Sequence, residues 1–88
     1  MIKITSIEPL GFYRLLLRFS DGSEGERDFS DLVAETGSLA KPLRDPAYFA
    51  GAFTEDGTGL AWPHGLDLDA QALYDGMKNA GELHAPPA

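Results

Sequence analysis

Within the run Trp62-Pro63-His64-Gly65-Leu66-Asp67 the chain gathers an indole, an imidazole and a carboxylate. An imidazole titrates near neutrality and acts as a general base when a nucleophile and an acid orient it. An indole beside it can form a shallow recognition surface for a peptide or a small ligand. Trp62, His64 and Asp67 are therefore the candidate binding residues. No recognisable serine or acid motif orients His64, so no catalytic residue is nominated. The competing reading is favoured: Trp62 ends a strand and packs beneath the last helix, while Pro63, His64 and Gly65 shape a turn.

The remaining chemistry-bearing residues are acids. Glu24, Glu26 and Asp28 alternate along one strand and so share a face, the arrangement of a glycosidase-like acid and base. Arg14 and Arg18 lie opposite, which makes ordinary cross-strand ion pairs on a solvated face the simpler account. Asp56, Asp67, Asp69 and Asp75 match no calcium-loop spacing. Helix capping accounts for Asp67 and Asp69. Two isolated histidines without cysteine do not make zinc-ligand spacing, and no glycine-rich phosphate loop or nucleophile elbow occurs. No metal and no cofactor are expected. A rival reading is a small enzyme or enzyme subunit with Asp56, Asp67 and His64 in one cleft.

The elements that position these residues follow from periodicity. Met1-Ile2-Lys3-Ile4-Thr5 alternates with period two, as a half-buried strand does, before Pro9 and Gly11 interrupt pairing. A second strand is predicted over 12–19, with Tyr13, Leu15, Leu17 and Phe19 on the core side. Ser20-Asp21-Gly22 then makes a three-residue hairpin loop with Gly22 left-handed. That loop sets Leu17 opposite Gly25 and Leu15 opposite Arg27, and it pairs Arg18 with Glu24 and Arg14 with Asp28. A two-residue loop would mix core and solvent faces. Arg27 is expected to lay its stem along the core edge and reach water with its guanidinium.

Ser30 or Asp31 is expected to cap a short helix, and Asp45 a second one with Pro46 in its first position. Residues 52–54 and 60–62 are predicted to form a hairpin around Glu55-Asp56-Gly57-Thr58, after which Pro63-His64-Gly65 turns the chain out of the sheet. A last helix starts near Asp67 or Asp69, buries Leu73 and Met77, and stops at Gly81. The expected organisation is one α+β domain over 1–81, with antiparallel hairpins and a C-terminal helix packed on the sheet, followed by a flexible Pro-containing tail over 82–88.

Composition narrows the function classes. The 88 residues carry a formal net charge of −7, with 43% hydrophobic and 24% charged residues, the balance of an ordinary globular chain. So acidic a chain is not expected to bind a phosphate backbone, which needs clustered Lys and Arg. No apolar stretch approaches the roughly 20 residues needed to span a bilayer. The absence of cysteine, and of a basic leader with an apolar core, is the expectation for a cytoplasmic protein.

Phe19-Ser20-Asp21-Gly22, Asp28-Phe29, Leu43-Arg44-Asp45-Pro46-Ala47-Tyr48-Phe49 and Leu60-Ala61-Trp62-Pro63-His64-Gly65-Leu66-Asp67-Leu68 occur in an order that resembles the bacterial domain-of-unknown-function family 2442. The resemblance runs from Ile2 to Tyr74. It implies a small α+β domain on antiparallel strands, joined in some relatives to a C-terminal helix-turn-helix domain that is not expected here. It implies no catalytic residue, and where His64 stands the family commonly carries Asn. Relatives are often encoded beside another small protein, which suggests toxin–antitoxin-like pairs. The expectation is thus a non-catalytic interaction module with a protein partner from a neighbouring gene, bound through an acidic sheet face or edge. Homodimerisation through a sheet edge and a role as transcription accessory domain are the further alternatives.

Overall fold

The computed structural model describes residues 1–85. Four strands form an antiparallel sheet in the order β1-β2-β3-β6: β1 (Ile4–Gly11), β2 (Arg14–Phe19), β3 (Glu24–Asp28) and β6 (Leu83–His84). A separate hairpin pairs β4 (Gly59–Ala61) with β5 (Asp67–Asp69). Three helices complete the fold: α1 (Ser30–Val33), α2 (Pro46–Phe49) and the ten-residue α3 (Ala70–Asn79), with a 3-10 turn over Lys41–Arg44 before α2. The architecture is α+β, as expected.

The β2–β3 hairpin has the register that its side-chain pattern demands. Leu17 faces Gly25, Leu15 faces Arg27 and Arg18 faces Glu24, so Leu15, Leu17 and Phe19 share the buried face. Gly22 takes φ 89° in the loop, where a side chain would be strained. Both charged pairings have the expected register: Arg18 faces and bonds Glu24 at 3.0 Å, and Arg14 faces Asp28, although its guanidinium bonds Glu26 because Asp28 turns to accept from Ser30.

The strand predicted over 12–19 is shorter at its start. Phe12 and Tyr13 form the two-residue tip of the β1–β2 hairpin, at φ 51° and 64°. Left-handed backbone at both central positions is what the twist of a tight hairpin requires, and Asn or Gly is its usual occupant. Tyr13 is held there by its hydroxyl, which donates to the Arg44 carbonyl at 2.6 Å, and by its edge-on contact with Phe49. Phe12 points into solvent, 89% exposed.

Pro9 also acquires a meaning from register. Phe19 donates to the Ser23 carbonyl and Phe29 to that of Tyr13, so alternation turns the backbone groups of Leu15 toward β3. Pro9, opposite Leu15, therefore turns its ring nitrogen to the free edge of β1, where a missing N–H costs the sheet nothing and denies a donor to any added strand. Register shifts between Ile4 and Ser6 and between Pro9 and Gly11 irregularise that edge further.

Capping follows the sequence at two helices and departs from it at one. Asp45 accepts from the Ala47 N–H at 3.0 Å with Pro46 in the first turn, and Asp69 accepts from Ala72 at 3.0 Å. Neither Ser30 nor Asp31 caps α1. Phe29 occupies that position without a side-chain bond, and Asp28 accepts the Ser30 N–H from one residue earlier. Gly81, at φ 72°, follows the end of α3 as expected.

The segment expected to form a loose tail from residue 82 is instead tied to the sheet in its first part. Leu83 and His84 pair with Gly25 and Glu24, and Glu82 meets the Arg27 guanidinium at 3.4 Å. Leu83 is half-buried against the core, which gives this short strand an apolar anchor. Arg27 thus finds a carboxylate rather than only water. Residues 86–88 lie outside the described part of the chain.

Candidate functional site

The second hairpin is not the one predicted. Phe53 makes only an isolated bridge with Ala61, while the full ladder joins Gly59, Leu60 and Ala61 to Asp69, Leu68 and Asp67. Pro63-His64-Gly65 therefore does not lead the chain out of a sheet. It folds β4 back onto β5, with the Gly65 N–H donating to the Trp62 carbonyl at 3.0 Å and the Trp62 N–H to Leu66 at 3.0 Å. Gly65 sits at φ 106°, a conformation that suits a residue without Cβ.

Trp62 is a core residue, 1% exposed. Its ring lies 5.6 Å from that of Phe49, and its Nε1–H donates to the Phe49 carbonyl at 2.9 Å. A buried indole needs such an acceptor, and α2 supplies it. Phe49 also contacts Tyr13 and Phe29, with ring centroids at 5.4 and 5.8 Å. One aromatic ring of α2 thereby joins the tip of the first hairpin, the end of β3 and the end of β4.

His64 is held by the same helix. Its backbone N–H donates to the Tyr48 hydroxyl at 2.9 Å, and that hydroxyl lies 2.8 Å from Nδ1. Nε2 lies 2.6 Å from the Leu39 carbonyl. A carbonyl only accepts, so the geometry assigns the proton to Nε2, and Nδ1 accepts from Tyr48. Every polar atom of the ring is engaged, leaving no ring lone pair for a general base to offer.

Asp67 is exposed on β5 and lies over the α-carbon of Gly59; a side chain at that glycine would collide with its carboxylate. It lines an open cleft of ≈ 340 Å³ together with Glu55, Asp56, Phe53, Pro63 and Leu66, and Trp62 contributes to the wall. The structure therefore brings Asp56 and Asp67 to one cleft and leaves His64 out of its lining.

Asp56 is committed elsewhere in the same loop. Its Oδ1 accepts from the Thr58 hydroxyl at 2.6 Å and from the Thr58 N–H at 3.0 Å, and these bonds, the hydroxyl first, hold its pKa below the ordinary carboxylate value. A carboxylate kept ionised in this way accepts hydrogen bonds but is a poor proton donor.

The same device recurs. Asp21 accepts from the Ser23 hydroxyl and N–H at 2.6 and 2.9 Å, and Asp28 from those of Ser30 at 2.5 and 2.8 Å. Both pKa values are lowered, chiefly by the serine hydroxyls. Asp21 also accepts from the Tyr74 hydroxyl at 2.7 Å, fastening the β2–β3 loop to α3. The signal was present in the sequence as a thrice-repeated Asp-x-Ser/Thr tripeptide, the pattern of side-chain-closed turns. Sequence reasoning did not single it out, nor did it find that the Tyr48 hydroxyl holds His64.

A family model described as "Protein of unknown function (DUF2442)" matches residues 4–79. The chain belongs to the DUF2442 family. No curated protein and no solved structure matches it. Within this DUF2442 domain, two of the segments that carried the resemblance meet at α2, Tyr48 and Phe49 on one side and Trp62 to Gly65 on the other, while Phe19 and Asp21 of another lie against Tyr74 of α3. Among the described residues, no cluster of three or more histidine or acidic side chains is arranged to hold a metal ion, and no helix is long and apolar enough to cross a membrane.

Proposed function

We propose that this DUF2442 domain is a non-catalytic protein–protein interaction module that pairs with a basic protein partner, one half of a regulatory or toxin–antitoxin-like pair encoded by neighbouring genes. The observation that carries the reading is the occupation of its reactive groups by the scaffold. The His64 ring spans Tyr48 and Leu39, the Trp62 indole is buried on Phe49, and Asp21, Asp28 and Asp56 close their own turns. The surface left over is acidic, and its charge is unevenly spent. On the sheet face Glu24 and Glu26 are engaged by Arg18 and Arg14, so the interaction charge resides in the exposed carboxylates away from those pairs, including Asp31, Glu55, Asp67 and Asp69. A field of this sign accelerates encounter with a cationic partner and fades as salt rises.

The test is affinity capture of the tagged chain from its native host at low salt, followed by mass spectrometry. A stoichiometric basic partner, released as salt is raised and lost when Asp31 and Asp67 are replaced by Lys, is the expected result. Recovery of the chain alone at every salt concentration contradicts the reading, and so does capture that ignores both salt and charge reversal.

A further inference from the structure

The two sheets present facing edges with a groove between them. Alternation in the β2–β3 ladder turns the backbone groups of residues 23, 25, 27 and 29 toward β2, so those of Glu24, Glu26 and Asp28 point away from it. β6 covers the first of these, pairing at Glu24 and Gly25. On the other side of the groove, Trp62 donates to Leu66 and Ala70 to Thr58, which puts Leu60 and Leu68 in a bonded pair and turns the backbone of Asp67 and Asp69 outward. No ladder joins β3 to β5.

Two adjoining hollows of ≈ 280 and ≈ 220 Å³ lie between these edges and share Arg27, Leu68 and Leu73. Phe29 and Leu32 extend the apolar floor toward α1, and Asp67 and Asp69 stand at one end with Asp28 and Asp31 at the other. The Arg27 guanidinium is bonded to Glu82, so the carboxylates at both ends remain in excess.

We propose that the groove between β3 and β5 accepts an extended segment of a partner protein, a strand in which basic and apolar residues alternate. Added beside Glu26 and Asp28, such a strand pairs its backbone with theirs. Its apolar residues point to the floor at Leu68 and Leu73, and its Lys or Arg residues point to the carboxylates, as period-two alternation requires. A second copy of this chain is a poor occupant. Its free β1 edge carries Pro9 and two register shifts, and two chains of −7 repel. The inference rests on the interaction-module reading and names the surface and the shape of the partner segment.

The test uses the full chain, isotope-labelled, and a capped heptapeptide alternating lysine and valine as probe. Controls are a glutamate–valine peptide and a lysine–valine peptide N-methylated at alternate residues. The expected result is movement of the Glu26, Asp28, Asp67 and Asp69 amide resonances with the lysine–valine peptide alone, and slowing of their hydrogen exchange by about tenfold at saturation. Leu68→Lys should abolish the effect. Asp31→Lys, at an exposed position, should weaken it with the circular dichroism unchanged, which separates binding from folding.

Binding that survives N-methylation, perturbation confined to Glu55 and Asp56, no perturbation, or a concentration-dependent dimer that occupies the groove each overturns the proposal. A partner captured from the host whose footprint lies elsewhere also overturns it and leaves the interaction-module reading standing. Peptide binding at the groove without any host partner has the opposite meaning: the groove accepts a strand and the module reading fails.

Discussion

Two hairpins of the protein, β2–β3 and β4–β5, are held in different ways. β2–β3 is stabilised mainly by what lies within it: a three-residue loop with a left-handed glycine, a turn closed by Asp21, and Arg18 and Arg14 on acids of the neighbouring strand. β4–β5 has three-residue strands and a Pro63-His64-Gly65 turn, and its fixed geometry comes from residues far away in sequence. Phe49 accepts from Trp62 across 13 residues, Tyr48 meets His64 across 16, and Leu39 meets it across 25. A short hairpin that cannot hold its own shape borrows it from a neighbouring helix, and here the neighbour is the four-residue α2. The distinctive Trp-Pro-His-Gly segment is thus accounted for as a docking device between hairpin and helix.

The largest expected effect tests that dependence. Trp62→Ala removes the indole, its bond to Phe49 and the ring contact together, and should cost about 3–5 kcal/mol in urea unfolding, enough to leave a small domain largely unfolded. A loss below about 1 kcal/mol would be a surface-like response and would remove Trp62 from the core account.

Tyr48→Phe is a narrower intervention. It keeps the ring and deletes the hydroxyl that serves the His64 N–H and Nδ1, so the loss should be about 1–3 kcal/mol. Hydrogen exchange should separate the hairpins: amides of β4 and β5 exchange faster in the variant, whereas those of β2 and β3 follow only the global change. Equal acceleration in both hairpins would break the comparison.

The first hairpin pair has its own weak point at the tip between β1 and β2. Phe12 holds left-handed backbone with its side chain in water, so Phe12→Asn should relieve strain and raise stability by about 1 kcal/mol. Destabilisation by that substitution would mean that the phenyl ring makes a contact in solution worth more than the strain.

A smaller effect follows from protonation. The pKa of Asp21 is lowered, first by the Ser23 hydroxyl and next by Tyr74, so its contribution is fully present above the unfolded value of about 3.9. It is lost as pH falls through the lower folded value. Replacing Asp21 by Asn should flatten the acid limb of the stability curve below about pH 4. It should also return Tyr74, whose pKa is raised chiefly by its bond to Asp21, toward its ordinary titration. An unchanged acid limb and an unchanged Tyr74 would detach this loop from α3.

What could be read from the sequence divides along the same line. The β2–β3 register, the left-handed Gly22, the caps at Asp45 and Asp69 and the buried stripe of Leu73 and Met77 rest on local rules, and each is found in the structure. The β4–β5 pairing was misassigned because two partners for residues 60–62 were available, and Gly59 weakened the alternation that would choose between them. The left-handed Phe12 and Tyr13 could not be foreseen, since nothing in aromatic propensity favours that backbone; Phe49 and Arg44, more than 30 residues on, hold Tyr13 in place. Leu83 and His84 were missed for the same reason, a two-residue strand being specified by its partner. Of the candidate site, Trp62 and Asp67 do share the wall of one cleft, while His64 is drawn away from it by Tyr48 and Leu39.

The central claim is that the Trp62 to Gly65 segment serves the scaffold and that interaction belongs to the groove between β3 and β5. Two variants decide it, measured for thermal midpoint and for capture of the host partner on the same preparation. His64→Asn cannot span Tyr48 and Leu39, so the midpoint should drop by about 4–8 °C for each kcal/mol lost while the folded variant captures partner at wild-type level. Leu68→Lys should keep a cooperative transition and lose capture. Loss of capture by folded His64→Asn, with Leu68→Lys still binding, would contradict the account.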